Sequence, residues 1–291
     1  MSGQPHSYYL PEPSPWPFIG SFGLFFTLGG LALLVNDISG APYVMGFGFV
    51  VLLVMLFGWF GTVIREGEAG RYSEQVDRSF RWGMAWFIFS EVMFFAGFFG
   101  ALFYARLYSV PWLGGVGEKL STHTLLWPGF ESVWPLLTLP SAEGYTQALE
   151  PMGAWGLPAI NTLILLSSGV TVTAAHWGLV HANRRQLIVG LALTVASGVL
   201  FLVLQGLEYT HAYRELGLKM TSGIYGSTFF MLTGFHGFHV TLGVIMLAVI
   251  LFRAMAGHFT PDSHFAFEAA AWYWHFVDVV WLLLFVVVYW L

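Results

Sequence analysis

Seven long apolar stretches dominate the chain, and they limit its fold more than any motif does. They lie at about Phe18–Val35, Tyr43–Ile64, Trp82–Leu107, Pro158–His181, Leu187–Tyr209, Ile224–Phe252 and Phe265–Leu291. A helix of about 20 apolar residues covers the roughly 30 Å hydrocarbon layer of a bilayer. The runs are continuous rather than alternating, which argues against a membrane barrel. Only 9% of residues are charged, against about 25% in a soluble domain. That is too few to cover a water-facing surface of this size. The expected fold is all-α, a polytopic membrane protein with seven transmembrane helices. Trp16, Trp59, Trp82, Trp177 and Trp290 sit near run ends, where an amphipathic ring suits the headgroup level.

The segment "REGEAGRYSEQVDRSFR", residues 65–81, is the most charged in the chain. It divides the expected organisation. An N-terminal arm (1–17) leads into a two-helix unit (18–64), the charged inner linker (65–81) follows, and a five-helix bundle (82–291) carries an outer loop (108–157). The arm, "MSGQPHSYYLPEPSPWP", has no Lys or Arg and lacks the basic start of a secretory signal. With the N-terminus inside, inner segments hold Arg65, Arg71, Arg78, Arg81, Arg184, Arg185 and Arg253, seven in all, and outer ones hold Arg106, Lys119, Arg214 and Lys219, four in all. The excess predicts an inside N-terminus and an outside C-terminus. The outer loop is long enough to be a contact surface or a cover. The high glycine content, 34 residues, together with this loop, points to a bacterial plasma membrane rather than a mitochondrial inner membrane. Cysteine is absent, which excludes disulfides, thiolate metal sites, iron–sulfur clusters and thiol nucleophiles. The formal charge of −5 and the lack of a basic tract give no sign of nucleic acid.

Ionisable groups at membrane depth cost at least about 2.5–3.5 kcal/mol each on insertion scales, so each needs a partner or a function. The candidates are Glu91, His176, Glu208, His236, His239, Glu268, His275 and Asp278. At about 1.5 Å per residue, Glu91 and His275 lie roughly 14 Å from the inner helix ends, Asp278 roughly 18 Å and His239 roughly 21 Å. His275 and Asp278 stand three apart and share a helix face, as do His236 and His239 in "GFHGFH". These four residues are expected to form an interhelical polar lock, the two faces turned toward each other or toward Glu91. A proton-carrying role is the sharper reading. A metal site completed by His275 and Asp278 is a third, since two histidines alone are too few ligands.

Glu91, in "FIFSEVMFFAGFF", has no basic residue within a turn. It is either a neutral acid donating one hydrogen bond, or a proton-exchanging or intersubunit carboxylate. "SSGVTVTAAH" is a close-packing face of small and hydroxyl residues. Trp59, Arg65, Glu66 and Arg71 end the second span. They suit a phospholipid headgroup, with arginine on phosphate and glutamate on an amine or on arginine.

The stretches "RWGMAWFIFSEVMFFAGFF", "PAINTLILLSSGVTVTAAHW", "LQGLEYTHA", "YGSTFFMLTGFHGFHVTLG" and "HFAFEAAAWYWHFVDVVWLLLFVVVYW", in that order, resemble cytochrome c oxidase subunit III over nearly the whole chain. The resemblance implies seven helices, the first two splayed from the other five around a phospholipid-holding, V-shaped cleft. It implies an accessory, non-catalytic chain that packs on the catalytic subunit I with subunit II, supports proton uptake and stability, and leaves haem and copper to those partners. No catalytic residue, metal ligand or cofactor other than phospholipid is assigned to this chain. Glu91 matches the family's "SEVMFF" carboxylate, and Arg65 and Glu66 match its lipid-contacting pair. Many relatives have "WWRD" where this chain has "WFGT" (Trp59–Thr62), an arginine and an aspartate fewer near the headgroups.

Two other function classes compete: a proton-coupled transporter using Glu91, His239 and Asp278 as a relay, and a membrane haem or di-iron enzyme. The isolated chain is expected to show no haem absorption band; a strong one in the purified chain would establish the enzyme reading instead.

Overall fold

The computed structural model describes residues 12–141 and 143–291. Its long helices are α1 (Trp16–Val35), α2 (Ala41–Glu68), α3 (Glu74–Tyr104), α6 (Leu157–Val180), α7 (Arg184–Arg214), α8 (Gly223–Ala256) and α9 (Phe265–Leu284). After α3 a wider π turn, Ala105–Ser109, leads into the one-turn α4 (Val110–Leu113), and α9 ends in a second π segment, Phe285–Trp290. The short α5 (Leu120–Leu126) lies in the long loop that follows. Seven helices are long and apolar enough to cross a membrane, and no strand forms among the described residues. The all-helical, seven-span expectation is met. Most of the N-terminal arm falls outside the described residues. Pro17, Pro42 and Pro158 stand in the first turns of α1, α2 and α6, where a missing N–H leaves no bond unmade.

The chain divides into two compact units, one ending at Phe80 and one beginning at Arg81. In the first, α1 and α2 form a hairpin whose backbones touch. A Cβ on Gly30 would lie 2.3 Å from the Met45 nitrogen, and one on Gly48 would lie 2.3 Å from the Thr27 nitrogen. Lipid tails are as apolar as leucine, so helices here associate through close van der Waals contact, which small residues permit. The Trp16 indole lies over Gly58 and donates to Thr62 Oγ1 at 3.2 Å. Only 6% of the apolar window of α2 is buried, against 50% for the last span. The first unit is thus nearly coreless, with Phe18, Phe25, Tyr43 and Phe57 all strongly exposed.

The second unit holds the core. Its centre is α9, whose Trp274 and Trp281 are fully buried. Gly198 of α7 and Gly243 of α8 flank the Trp274 ring, leaving a Cβ only 2.7 Å and 2.8 Å from it. The two indoles donate to hydroxyls of α6: Trp274 Nε1 to Ser168 Oγ at 2.8 Å and Trp281 Nε1 to Thr162 Oγ1 at 2.9 Å. Thr171–Thr194 and Tyr209–Thr233 hydroxyl pairs, at 2.8 Å and 2.7 Å, join α6 to α7 and α7 to α8. Interhelical polar bonds of this kind average about 0.6 kcal/mol. They orient the helices, and packing around the tryptophans supplies most of the cohesion. The long loop lies on this unit: the Thr146 and Leu149 N–H groups donate to the Thr221 and Leu216 carbonyls, and the Met152 N–H to the Tyr225 hydroxyl.

Gly198→Ala should press on Trp274 and cost about 1–3 kcal/mol of overpacking. Gly206→Ala, with open space around it, should be neutral or slightly stabilising through helix propensity. Thermal denaturation of the two variants side by side checks the contrast.

Candidate functional site

Two histidines three apart on α8 face the same way, and both are buried. They do different things. His239 Nδ1 lies 2.6 Å from the Phe235 carbonyl of its own helix. A carbonyl only accepts, so Nδ1 carries the proton. His239 Nε2 lies 2.8 Å from Glu91 Oε2 on α3. With Nδ1 already protonated, one proton sits between Nε2 and the carboxyl oxygen. The pair is either neutral acid and neutral imidazole or carboxylate and imidazolium, and both forms carry the same net charge of zero. Zero net charge is what a low-dielectric site tolerates best. Phe95 packs on the imidazole at 5.0 Å between ring centres, and Phe94, Tyr273 and Phe276 complete the aromatic surround. The His239 side chain is 8% exposed and that of Glu91 22%, so the carboxyl is the outward member of the pair.

His236 Nε2 lies 3.2 Å from the Val277 carbonyl of α9, which makes Nε2 its donor, while Nδ1 has no hydrogen-bond partner among the described residues. Phe201 and Trp281 flank its ring. His275 lies on the far side of α9, with its side chain 47% exposed. It lies 3.4 Å from Thr173 Oγ1 and 3.6 Å from Asp278 Oδ2. Asp278 is buried against Gly169 of α6, where any Cβ would come within 2.5 Å of Oδ2. His236, His239, His275 and Asp278 therefore do not gather into one cluster. They stand at three junctions: His239 where α8 meets α3, His236 where α8 meets α9, and His275 with Asp278 where α9 meets α6. The spacing put each pair on one face, but it could not tell which neighbouring helix that face would meet.

In the first unit, Arg65 Nη2 donates to Thr62 Oγ1 at 3.3 Å, and the Tyr72 hydroxyl donates to Glu66 Oε2 at 2.8 Å. Arg71 Nη1 pairs with Glu12 at 3.2 Å. Trp59 stacks on Phe60, with ring centres 5.6 Å apart, and is 47% exposed. Arg65, Glu66 and Arg71 thus stand at or just beyond the end of α2 and Trp59 about two turns earlier, and each touches a different group.

Two further clusters lie in the second unit. Glu208 is buried between α7 and the C-terminal segment: the Tyr289 hydroxyl donates to its Oε1 at 2.5 Å and Gln205 Nε2 at 3.2 Å. Glu268, in the first turn of α9, pairs with Arg81 and stands beside His176 and His264. Among the described residues, His176, His264 and Glu268 are the histidine and acid side chains close enough to share an ion. The sequence reading weighed His176 and Glu268 singly and missed His264. The available signal was the i, i+4 spacing of His264 and Glu268 at the start of a helix.

The family model of cytochrome c oxidase subunit III matches residues 6–126 and 116–291. Relatives that carry the name cytochrome c oxidase subunit 3 match over the whole chain. Those of Formosania lacustris, Gadus morhua and Dugong dugon are 42%, 43% and 40% identical over all of this chain and 99% of their own. The relatives come from fish, shark and mammals, which corrects the expected bacterial plasma membrane. That expectation rested on glycine content and loop length. The glycines serve helix packing and the loop covers the chain's own helix ends, and neither reports on the kind of membrane. A multi-pass membrane chain remains. By the match of nearly every residue to the family, and by relatives identical at about two positions in five over its full length, this chain belongs to the cytochrome c oxidase subunit III family.

Proposed function

We propose that the chain is the non-catalytic accessory subunit of a haem-copper cytochrome c oxidase, the respiratory oxygen reductase. In this reading it packs on catalytic subunit I with subunit II, holds phospholipid, and supports proton uptake and durability during oxygen reduction coupled to proton pumping. The full-length family match carries this reading. The transporter alternative has nothing comparable behind it. Haem and copper, in the partner subunits, supply the redox chemistry. This chain's residues supply a proton position and a lipid-facing surface.

The proton position is the Glu91–His239 pair. Its single proton lies between two heavy atoms 2.8 Å apart, and a shift from one to the other leaves the net charge of the pair unchanged. The outward carboxyl is the member able to exchange with, or bind, a neighbouring chain. The lipid surface is the end of α2. Arg65 and Arg71 would take a phosphate, Glu66 an amine, and Trp59 the glycerol level. The exposed apolar faces of α1 and α2 supply room for acyl chains.

Glu91→Gln keeps a donor toward His239 Nε2 but removes the exchangeable acid. It is expected to leave the complex assembled and to change turnover only modestly. Complete loss of oxygen reduction in an intact complex would refute an accessory role. Glu91→Leu leaves the buried Nε2 unpartnered, at a cost of about 1–3 kcal/mol, and should lower the temperature at which this chain dissociates; gel filtration after graded heating reads that loss. Replacing both Arg65 and Arg71 with Ala should reduce co-purifying phospholipid, quantified by mass spectrometry of extracted lipid. An unchanged lipid content would remove the headgroup role.

A further inference from the structure

The cluster at the end of α6 and the start of α9 has the form of a ligand set. His176 Nε2 and His264 Nε2 lie 3.4 Å apart, His264 Nε2 lies 3.2 Å from Glu268 Oε1, and His176 Nε2 lies 3.8 Å from the same oxygen. A tetrahedral Zn2+ ion holds its ligands at about 2.0–2.2 Å, so the edges of its tetrahedron are about 3.3–3.6 Å. The three observed separations bracket that range. As a metal-free hydrogen bond, the contact between the two nitrogens is long, since good ones fall at about 2.7–3.2 Å.

The surroundings orient these atoms. His264 Nδ1 lies 3.1 Å from the Thr260 carbonyl, so its proton is on Nδ1 and its Nε2 presents a lone pair. Glu268 Oε2 is taken by Arg81, which turns Oε1 toward the imidazoles. A carbonyl behind a histidine and a cation behind a carboxylate are the outer contacts that fix metal ligands. The His264 and Glu268 side chains are 12% and 15% exposed and that of His176 is 34% exposed. The site is sheltered but open on one side. The ligands come from two helices far apart in sequence, and their convergence is not explained by either helix alone.

We propose that His176, His264 and Glu268 bind a divalent cation of the zinc class through two imidazole nitrogens and one carboxylate oxygen, with the fourth position open to water. Zn2+ has no redox chemistry; bound here it cross-links the end of α6 to the start of α9. Mg2+ and Ca2+, which prefer all-oxygen sites, are excluded from it.

The assembled oxidase is dialysed against low-micromolar Zn2+, freed of unbound metal by gel filtration, and its zinc is counted by plasma mass spectrometry. His264→Gln and His176→Gln complexes are treated alike, with intactness taken from the presence of this chain on denaturing gels of the gel-filtered complex. His176 is the more exposed ligand and the farther from Glu268, so its replacement keeps the test open if His264→Gln fails to assemble. Each intact variant is expected to retain one zinc fewer per complex than the parent, and excess Mg2+ should not displace the parent's zinc. Equal zinc in the parent and the intact His176→Gln complex overturns the proposal, as does displacement by Mg2+.

Discussion

A polypeptide in hydrocarbon has no water to satisfy its N–H and C=O groups, and each one left bare costs several kcal/mol. Helices meet that demand locally, which is why every long element of this chain is one. The same demand then passes to the side chains. Serine and threonine hydroxyls along the spans return to carbonyls three or four residues back, as Thr27 does to Gly23 and Thr173 to Gly169. Ionisable groups cannot be satisfied so cheaply, and Glu91, His236 and His239 reach across to another helix for a partner.

The core follows from how closely these helices approach. Without a hydrophobic force between helices, cohesion depends on fit. Around Trp274 two glycines clear space for an indole whose nitrogen reaches Ser168. At Gly169 the missing side chain makes room for the Asp278 carboxyl. A small residue opposite a large or polar one recurs where α7 and α8 meet Trp274 and where α6 meets Asp278, so these glycines and buried polar groups belong to one arrangement.

Glu91 shows how much of the site could be read from sequence. Its depth and its lack of a nearby base were legible from hydropathy and spacing. The α8 histidines were one expected partner, but which of them meets it, across 148 positions, depends on helix rotation. Of the two expected arrangements, polar faces turned to each other or to Glu91, His239 takes the second, while His236, His275 and Asp278 meet other groups for the same reason. Periodicity places residues on a face, and helix packing decides what that face meets. His264 went unnoticed because it lies at a helix start rather than within an apolar run.

The sequence by itself determined the number of spans, the all-helical class and the family, since these depend on local hydropathy and on ordered motifs. The tertiary structure alone decided the pairing of His239 with Glu91, the junction of His236 with α9 and that of His275 and Asp278 with α6, and the meeting of His176, His264 and Glu268. Those outcomes turn on the angles and offsets at which helices pack, quantities of a few ångströms that no local pattern encodes.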